Sequence, residues 1–183
     1  MRRLAIALVH HPILDAKGGV TTSTLTSLDL HDLSRSARTY GCSDFFIVHP
    51  IPAQRLLAER IVEHWTHGSS VKRIPDRKDA VALVRIVSTL EEAETALGAG
   101  CERWVTAARA RETSTSFAAA RALLEAEGPP VLVVFGTGWG LADSVMTAAA
   151  RVLEPIKGPE PWNHLSVRAA AAITLDRLRG LRD

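Results

Sequence analysis

The chain has 183 residues, of which 46% are hydrophobic, and a net charge of +2 with a pI near 8.8. That is material for one domain with a sizeable core, too weakly basic for a protein that binds nucleic acid by charge alone, and without any apolar run near the roughly 18 residues of a membrane span. Two cysteines, Cys42 and Cys101, exclude a disulfide framework, and no Cys or His grouping has the spacing of a structural zinc site. These features predict a cytoplasmic protein with reduced thiols, no metal and a single domain over residues 1–183.

Leu4–Val9 is apolar throughout and reads as a strand buried on both faces of a parallel sheet. It ends at His10-His11-Pro12, and the polar, turn-rich residues 15–27, with Gly18-Gly19, read as an extended loop over the strand end. Leu30, Leu33, Ala37 and Tyr40 share one face of a helix that Asp29 is placed to cap and Gly41 to end. Phe45-Phe46-Ile47-Val48 is the second strand, and residues 53–67 form an amphipathic helix with Leu57, Ile61 and Trp65 in register, ended by Gly68. The run Val71-Lys72-Arg73-Ile74-Pro75-Asp76-Arg77-Lys78 reads as a solvated basic loop or a patch for an anionic partner.

Val84-Arg85-Ile86-Val87 is strand-like, and Ser88-Thr89-Leu90-Glu91 is a capping-box signature for a helix to Leu97. Arg103-Trp104-Val105-Thr106 is a further strand, followed by Ala107-Ala108-Arg109-Ala110-Arg111 and a helix over 117–127. Val131-Leu132-Val133-Val134-Phe135 then empties into Gly136-Thr137-Gly138-Trp139-Gly140, where three glycines allow main-chain N–H groups to approach a ligand; the bland alternative is a tight strand-to-helix turn. Residues 141–150 read as a helix starting at the same place. Residues 154–162 are too proline-rich for helix or central strand, and Asn163 or Ser166 is a candidate cap for an alanine-rich helix over 169–178.

Strands alternating with helices, and apolar runs in place of strict alternation, predict an α/β domain with a mostly parallel sheet and helices on both faces. In such sheets ligands sit beyond the carboxyl ends of the strands, which directs attention to the segments after Val9, Val48, Thr106 and Phe135. A dinucleotide fingerprint fits poorly, because the glycine loop lies in the last third of the chain, and no Gly-Lys-Ser or Gly-Lys-Thr follows to make a phosphate loop.

Three segments carry a resemblance. Asp29-Leu30-His31-Asp32-Leu33-Ser34-Arg35-Ser36-Ala37-Arg38-Thr39-Tyr40-Gly41 is similar to the first motif, Asn-x-Gly-x-x-x-Arg-x-Ala, of the SpoU-like branch of the SPOUT class of S-adenosylmethionine-dependent RNA methyltransferases. Residues 131–141 resemble its second motif, and the stretch from Glu154-Pro155-Ile156 to Leu165-Ser166-Val167-Arg168-Ala169-Ala170 its third. His-Asp-x-x-Arg-Ser-Ala-Arg-Thr-Tyr-Gly and Asn-His-Leu-Ser-Val-Arg are similar to the marks of a small stand-alone group within that class. The chain departs from the branch pattern in having Asp29 for Asn, His31 for Gly, no glutamate in the second motif, and His164 for the asparagine of the third.

The resemblance implies an α/β-knot fold with a trefoil knot near the C-terminus, and S-adenosylmethionine held by Thr106, Ala107, Phe135, Gly136, Thr137, Gly138, Gly140, Ile156, Leu165 and Ser166. It also implies an RNA substrate, tRNA or rRNA and not DNA, methylated on ribose or base, and a homodimer with Trp162 and part of the last helix near the interface. Arg35 is the candidate for orienting the acceptor, Asp29 and His31 are candidate bases, and Arg35, Arg38, Arg109 and Arg168 are candidate RNA contacts. Leu141, Ile156 and Leu165 are expected to flank the adenine. Two alternatives stay open from sequence: a non-catalytic SAM- or RNA-binding module of the same fold, and a Rossmann-like nucleotide-dependent enzyme.

Overall fold

Strands without a polar face need cover on both sides, and the chain supplies it by returning a helix after almost every strand. The computed structural model describes residues 1–68, 74–109, 111, 113–160 and 162–182. In chain order the first half contains β1 (Leu4–Val9), β2 (Ile13–Leu14), β3 (Val20–Thr21), α1 (Ser27–Thr39), β4 (Phe45–Val48), α2 (Pro52–Thr66), α3 (Pro75–Val81) and β5 (Val84–Val87). The second half contains α4 (Leu90–Leu97), β6 (Glu102–Val105), β7 (Ser114–Thr115), α5 (Phe117–Glu125), β8 (Val131–Gly136), α6 (Asp143–Thr147), β9 (Arg151–Leu153) and α7 (Val167–Arg179). Seven strands form one sheet in the order β5-β4-β1-β8-β6-β9-β7, every pairing parallel, with β2 and β3 a separate antiparallel pair.

The two faces differ in the size of their side chains. Leu4, Ile6, Leu8, Phe45, Ile47, Trp104, Val133 and Phe135 point to the side packed by α1, α5 and α7. Ala5, Ala7, Val9, Phe46, Val48, Val134 and Val105 point to the other, where α4 contributes Leu90, Ala93 and Leu97 and α6 contributes Val145 and Met146. Period-two alternation of large and small along β1 thus sets which face carries the heavier helical layer.

Several local expectations are corrected. The segment 15–27 is not a plain loop: its first part is the turn between β2 and β3, where Asp15 accepts from the N–H of Lys17 and of Gly19. Thr26, not Asp29, caps α1: the N–H of Asp29 donates to Thr26 Oγ1 at 3.2 Å, and Thr26 Oγ1 donates to Asp29 Oδ2 at 2.7 Å. Thr89, not Ser88, caps α4: the N–H of Glu92 donates to Thr89 Oγ1, and the Glu92 carboxylate accepts from the N–H of Ser88, so the cap is one residue later than Ser88 and Glu91 implied.

Within the basic run, residues 71–73 lie outside the described residues, while Pro75 opens helix α3, whose Ala80 and Val81 are buried. On α2 the packed residues are Ala58, Ile61, Val62 and Trp65, and Leu57 faces solvent. The helix read over 141–150 shrinks to α6, because the N–H of Ala150 bonds Arg103 O and residues 151–153 are drawn into the sheet between β6 and β7. Ser166 caps α7; Asn163 does not.

The order of the right-hand strands positions the site. β9 sits between β6 and β7 although both precede it in the chain, and the segment that leaves β9 is tied to the end of β6 by Asn163 Nδ2, which donates to Ala108 O. A late strand inserted between two earlier ones is compatible with the C-terminal threading that the resemblance implies.

Candidate active site

Since β8, β6 and β9 are neighbours, the segments leaving their carboxyl ends, at 136–142, 106–113 and 154–166, begin side by side on one sheet edge. The N–H of Thr106 and its hydroxyl both donate to Val134 O, at 3.1 and 3.0 Å, tying the β6 end to β8. Asn163 Nδ2 donates to Ala108 O at 2.7 Å, tying the third segment to the first. Ser166 Oγ accepts from the N–H of Ala169 and so holds the start of α7 where the third segment ends.

The glycine loop is closed on one side by the β2 segment. Trp139 N–H donates to Leu14 O, Leu14 N–H donates to Gly140 O at 2.8 Å, and Ala142 N–H donates to Pro12 O. A Cβ on Gly138, whose φ is +59°, would meet Ile13 Cδ1 at 2.9 Å, so this glycine is required by protein packing. Gly140, with φ +112°, would meet nothing within 4 Å. Part of the expected cradle is therefore used inside the protein, and α6, with five residues, adds little helix dipole.

The backbone N–H groups of Ala107, Gly138, Ile156 and Leu165, at least one from each of the three segments, are among those that make no hydrogen bond among the described residues. Donors of this kind fit a small ligand rich in acceptor atoms. Leu165 is 46% exposed and Ile156 half-buried, whereas Leu141 is packed against the small-residue face and Phe135 belongs to the opposite core. A cleft of about 360 Å³ lined by Ser114, Ser116, Glu154, Lys157 and Arg177 contains none of these residues.

The motif on α1 is divided by helical geometry. Asp29 is buried and pairs with Arg168 at the head of α7, Nη1 to Oδ1 at 2.7 Å, with Asp32 Oδ2 at 3.6 Å from Arg168 Nε. His31, two positions and about 200° further round α1, meets the edge of Trp65 at 5.0 Å, and the Arg77 guanidinium lies over the same indole. Burial first, then the nearby Arg77 charge, hold His31 below the ordinary histidine pKa. Arg35, Arg38 and Arg109 are exposed and make no hydrogen bond or ion pair among the described residues.

One cluster was not singled out from the sequence. His10 and His49 follow β1 and β4 directly, are fully buried, and stack with ring centroids 5.1 Å apart. His10 Nδ1 lies 2.9 Å from Ser23 Oγ, which in turn contacts Thr137 Oγ1 of the glycine loop. Burial, and then the neighbouring His49, push the His10 pKa down to about 4, and burial lowers that of His49. The signal was present: a polar residue directly after an apolar parallel strand stands at the ligand edge of the sheet.

A protein-family profile described as SAM-dependent RNA methyltransferase matches residues 3–180. The chain belongs to the SAM-dependent RNA methyltransferase family. A protein of Oleidesulfovibrio alaskensis named tRNA (guanine-N(1)-)-methyltransferase is 41% identical over 98% of the chain, which spans only 42% of that relative's length. An uncharacterised protein of Aquifex aeolicus is 38% identical over 94% of the chain and 86% of its own length. A probable methyltransferase structure from Bordetella pertussis superposes with a TM-score of 0.65 at 17% identity, covering 97% of this chain and 95% of that one. TrmJ of Z. mobilis gives 0.63 at 17% identity, with 100% of this chain and 70% of that chain covered. At such identity the structures establish the fold, which is that of the SpoU-like SPOUT enzymes. Family and fold together set aside the Rossmann-like alternative.

Proposed function

We propose that the chain binds S-adenosylmethionine across its three carboxyl-edge segments and transfers the methyl group to an RNA nucleotide, with tRNA as the first acceptor class to try. The observation that supports this reading is that backbone N–H groups of Ala107, Gly138, Ile156 and Leu165, from the three segments that begin side by side at the carboxyl ends of β8, β6 and β9, make no hydrogen bond among the described residues. Thr106 and Ser166 fix the two ends of that site, and the half-buried Ile156 and exposed Leu165 offer apolar cover for the adenine.

The cofactor supplies an activated methyl on a sulfonium. The chain must hold the acceptor in line with it and take up a proton where the acceptor carries one. Arg35, exposed and without an ion pair among the described residues, holds a phosphate or a developing oxyanion of the RNA, and Arg38 and Arg109 extend the same contact. Asp29 and His31 are the candidate proton acceptors. Asp29 is the better placed, since its partner Arg168 stands at the head of the helix that Ser166 caps. The working unit is a homodimer in the cytoplasm, with the 76%-exposed Trp162 and part of α7 at the interface.

The test is calorimetric titration of S-adenosylhomocysteine into the wild type and Leu165→Arg, followed by transfer of labelled methyl from S-adenosylmethionine to tRNA and rRNA. Micromolar binding lost in the variant, with label appearing in RNA, is expected. The exposed Leu165 side chain can change without disturbing the fold. No binding at millimolar ligand overturns the reading, and binding without transfer to any RNA reassigns the chain to the non-catalytic class.

A further inference from the structure

The His10 cluster carries more than packing. Thr137 Oγ1 lies 3.1 Å from Val9 O, which can only accept, and 2.5 Å from Ser23 Oγ, where either hydroxyl can donate. With the Thr137 proton on Val9 O, Ser23 donates to Thr137 and accepts from His10 Nδ1–H, and His10 Nε2 carries a bare lone pair; with the Thr137 proton on Ser23, Ser23 donates to His10 Nδ1 and Nε2 carries the proton. His10 Nε2 is buried and has no partner among the described residues. The first arrangement satisfies Val9 O and strands no buried N–H, which favours the Nδ1–H tautomer of His10.

His49 is the opposite tautomer. The N–H of Ile51 donates to its Nδ1 at 3.2 Å, and its Nε2–H donates to Ser23 O at 3.0 Å. The backbone N–H of Ser23 returns to His10 O at 2.9 Å. Ser23 is thus held from three sides by the ends of β1 and β4, and its one free choice, the direction of its hydroxyl, is set by His10. An apolar side chain would fill the place of His10 without stranding a polar atom. The nitrogen that is satisfied is the one that reaches Ser23.

We infer that His10 and Ser23 are positioning residues for the cofactor loop: through Thr137 they hold Gly136-Thr137-Gly138 in the one setting that leaves the Gly138 N–H available to a ligand. This rests on the reading of that loop as part of the S-adenosylmethionine site. Neither residue touches the cofactor in this account. Each acts through Thr137, whose two hydrogen bonds join the loop to β1 and to the segment behind it.

The experiment compares wild type, Ser23→Ala, Thr137→Val, Thr137→Ser and His10→Asn for S-adenosylhomocysteine affinity, thermal midpoint and steady-state methyl transfer. Ser23→Ala and Thr137→Val are expected to weaken binding by roughly tenfold or more, the worth of one hydrogen bond. Thr137→Ser, which keeps the hydroxyl, and His10→Asn, which keeps a donor near the Nδ1 position, should stay within about threefold of wild type. For Ser23→Ala the loss should appear in KM for S-adenosylmethionine with kcat at saturation retained, a split that general loosening of the core would not give.

Nitrogen-15 spectra of the wild-type imidazoles supply a reading independent of any ligand, with His10 protonated on Nδ1 and His49 on Nε2. A His10 ring protonated on Nε2 overturns the proposal, as does Ser23→Ala binding with wild-type affinity. If the wild type itself binds no S-adenosylhomocysteine, the cofactor reading fails and this proposal with it; if it binds and the variants bind equally, only this proposal fails.

Discussion

Arg168 and Asp29, 139 positions apart in the chain, meet with Nη1 2.7 Å from Oδ1 and join the first turn of α7 to the first turn of α1. The aspartate side chain is 9% exposed and the arginine 35%, so the pair is shielded on one side only. Removing the arginine strands a nearly buried carboxylate whose other hydrogen bond comes from Thr26. Arg168→Ala should lower unfolding stability by about 1–3 kcal/mol, and Asp29→Asn in the same background should restore part of it. Urea denaturation of the two variants decides this. A loss below about 0.5 kcal/mol would mark the pair as an ordinary surface contact.

Gly138 is predicted to be sensitive for reasons that precede ligand binding. Its φ of +59° disfavours any side chain, and its Cβ position lies 2.9 Å from Ile13 Cδ1. Gly138→Ala should cost about 1–2 kcal/mol and lower the thermal midpoint. Adding Ile13→Val, which gives the new methyl room, should recover the steric share and leave the backbone share. A midpoint unchanged by Gly138→Ala would mean that the loop relaxes freely.

The two buried histidines make stability fall with acid in a defined window. His10 titrates near 6.5 when unfolded and is pushed to about 4 when folded, and His49 is lowered in the same direction, so the unfolded chain binds the extra protons. Their contribution is complete above about pH 6.5. For His10 it declines as the pH falls toward 4, by at most about 1.4 kcal/mol per pH unit. Urea midpoints at pH 7.5, 5.5 and 4.5 should drop accordingly, and less steeply in His10→Asn. Midpoints flat down to pH 4.5 would contradict the burial of these rings.

Arg35, Arg38 and Arg109 are exposed and make no hydrogen bond or ion pair among the described residues, which is the state expected of side chains waiting for phosphate. If each meets one phosphate, alanine at any of them should reduce the slope of log affinity against log salt by about 0.7–0.9. RNA filter binding across a salt series is the measurement. An unchanged slope for Arg35→Ala would remove it from the RNA contact, whatever happens to turnover.

The strands that were legible in the sequence show it in their composition. β1, β4 and β8 are short apolar runs, and β5 and β6 carry β-branched or aromatic residues beside Arg85 and Arg103, patterns that predict strands. β9 was invisible because Arg-Val-Leu has no strand character of its own; it extends only because β6 and β7 present open edges to it. The α1 cap was misplaced because Thr26 and Asp29 are both good caps, and only the bond from the Asp29 N–H to Thr26 Oγ1 shows which is N-cap.

At the site, the three segments could be named from their resemblance, but not what each backbone group does once folded. Nothing in Gly136-Thr137-Gly138-Trp139-Gly140 announces that Leu14 will take the N–H of Trp139. The Arg168–Asp29 pair is likewise a product of helix packing, beyond the reach of any local pattern. His10 and His49 were legible in principle, each being the first polar residue after a strand.

The place of β9 in the sheet also governs the order in which the molecule can be finished. β6 and β7 are both made before β9, yet neither touches the other, since β9 lies between them. A growing chain that has reached residue 150 therefore has β6 as its outer strand and β7 with nothing to pair with. The edge stays open until the last fifth of the chain arrives, and that same stretch carries Ile156, Leu165, Ser166 and Arg168. Closing the sheet and completing the site are thus a single late event. A chain cut short before residue 151 would lose both together, leaving an unpaired parallel edge exposed to its neighbours.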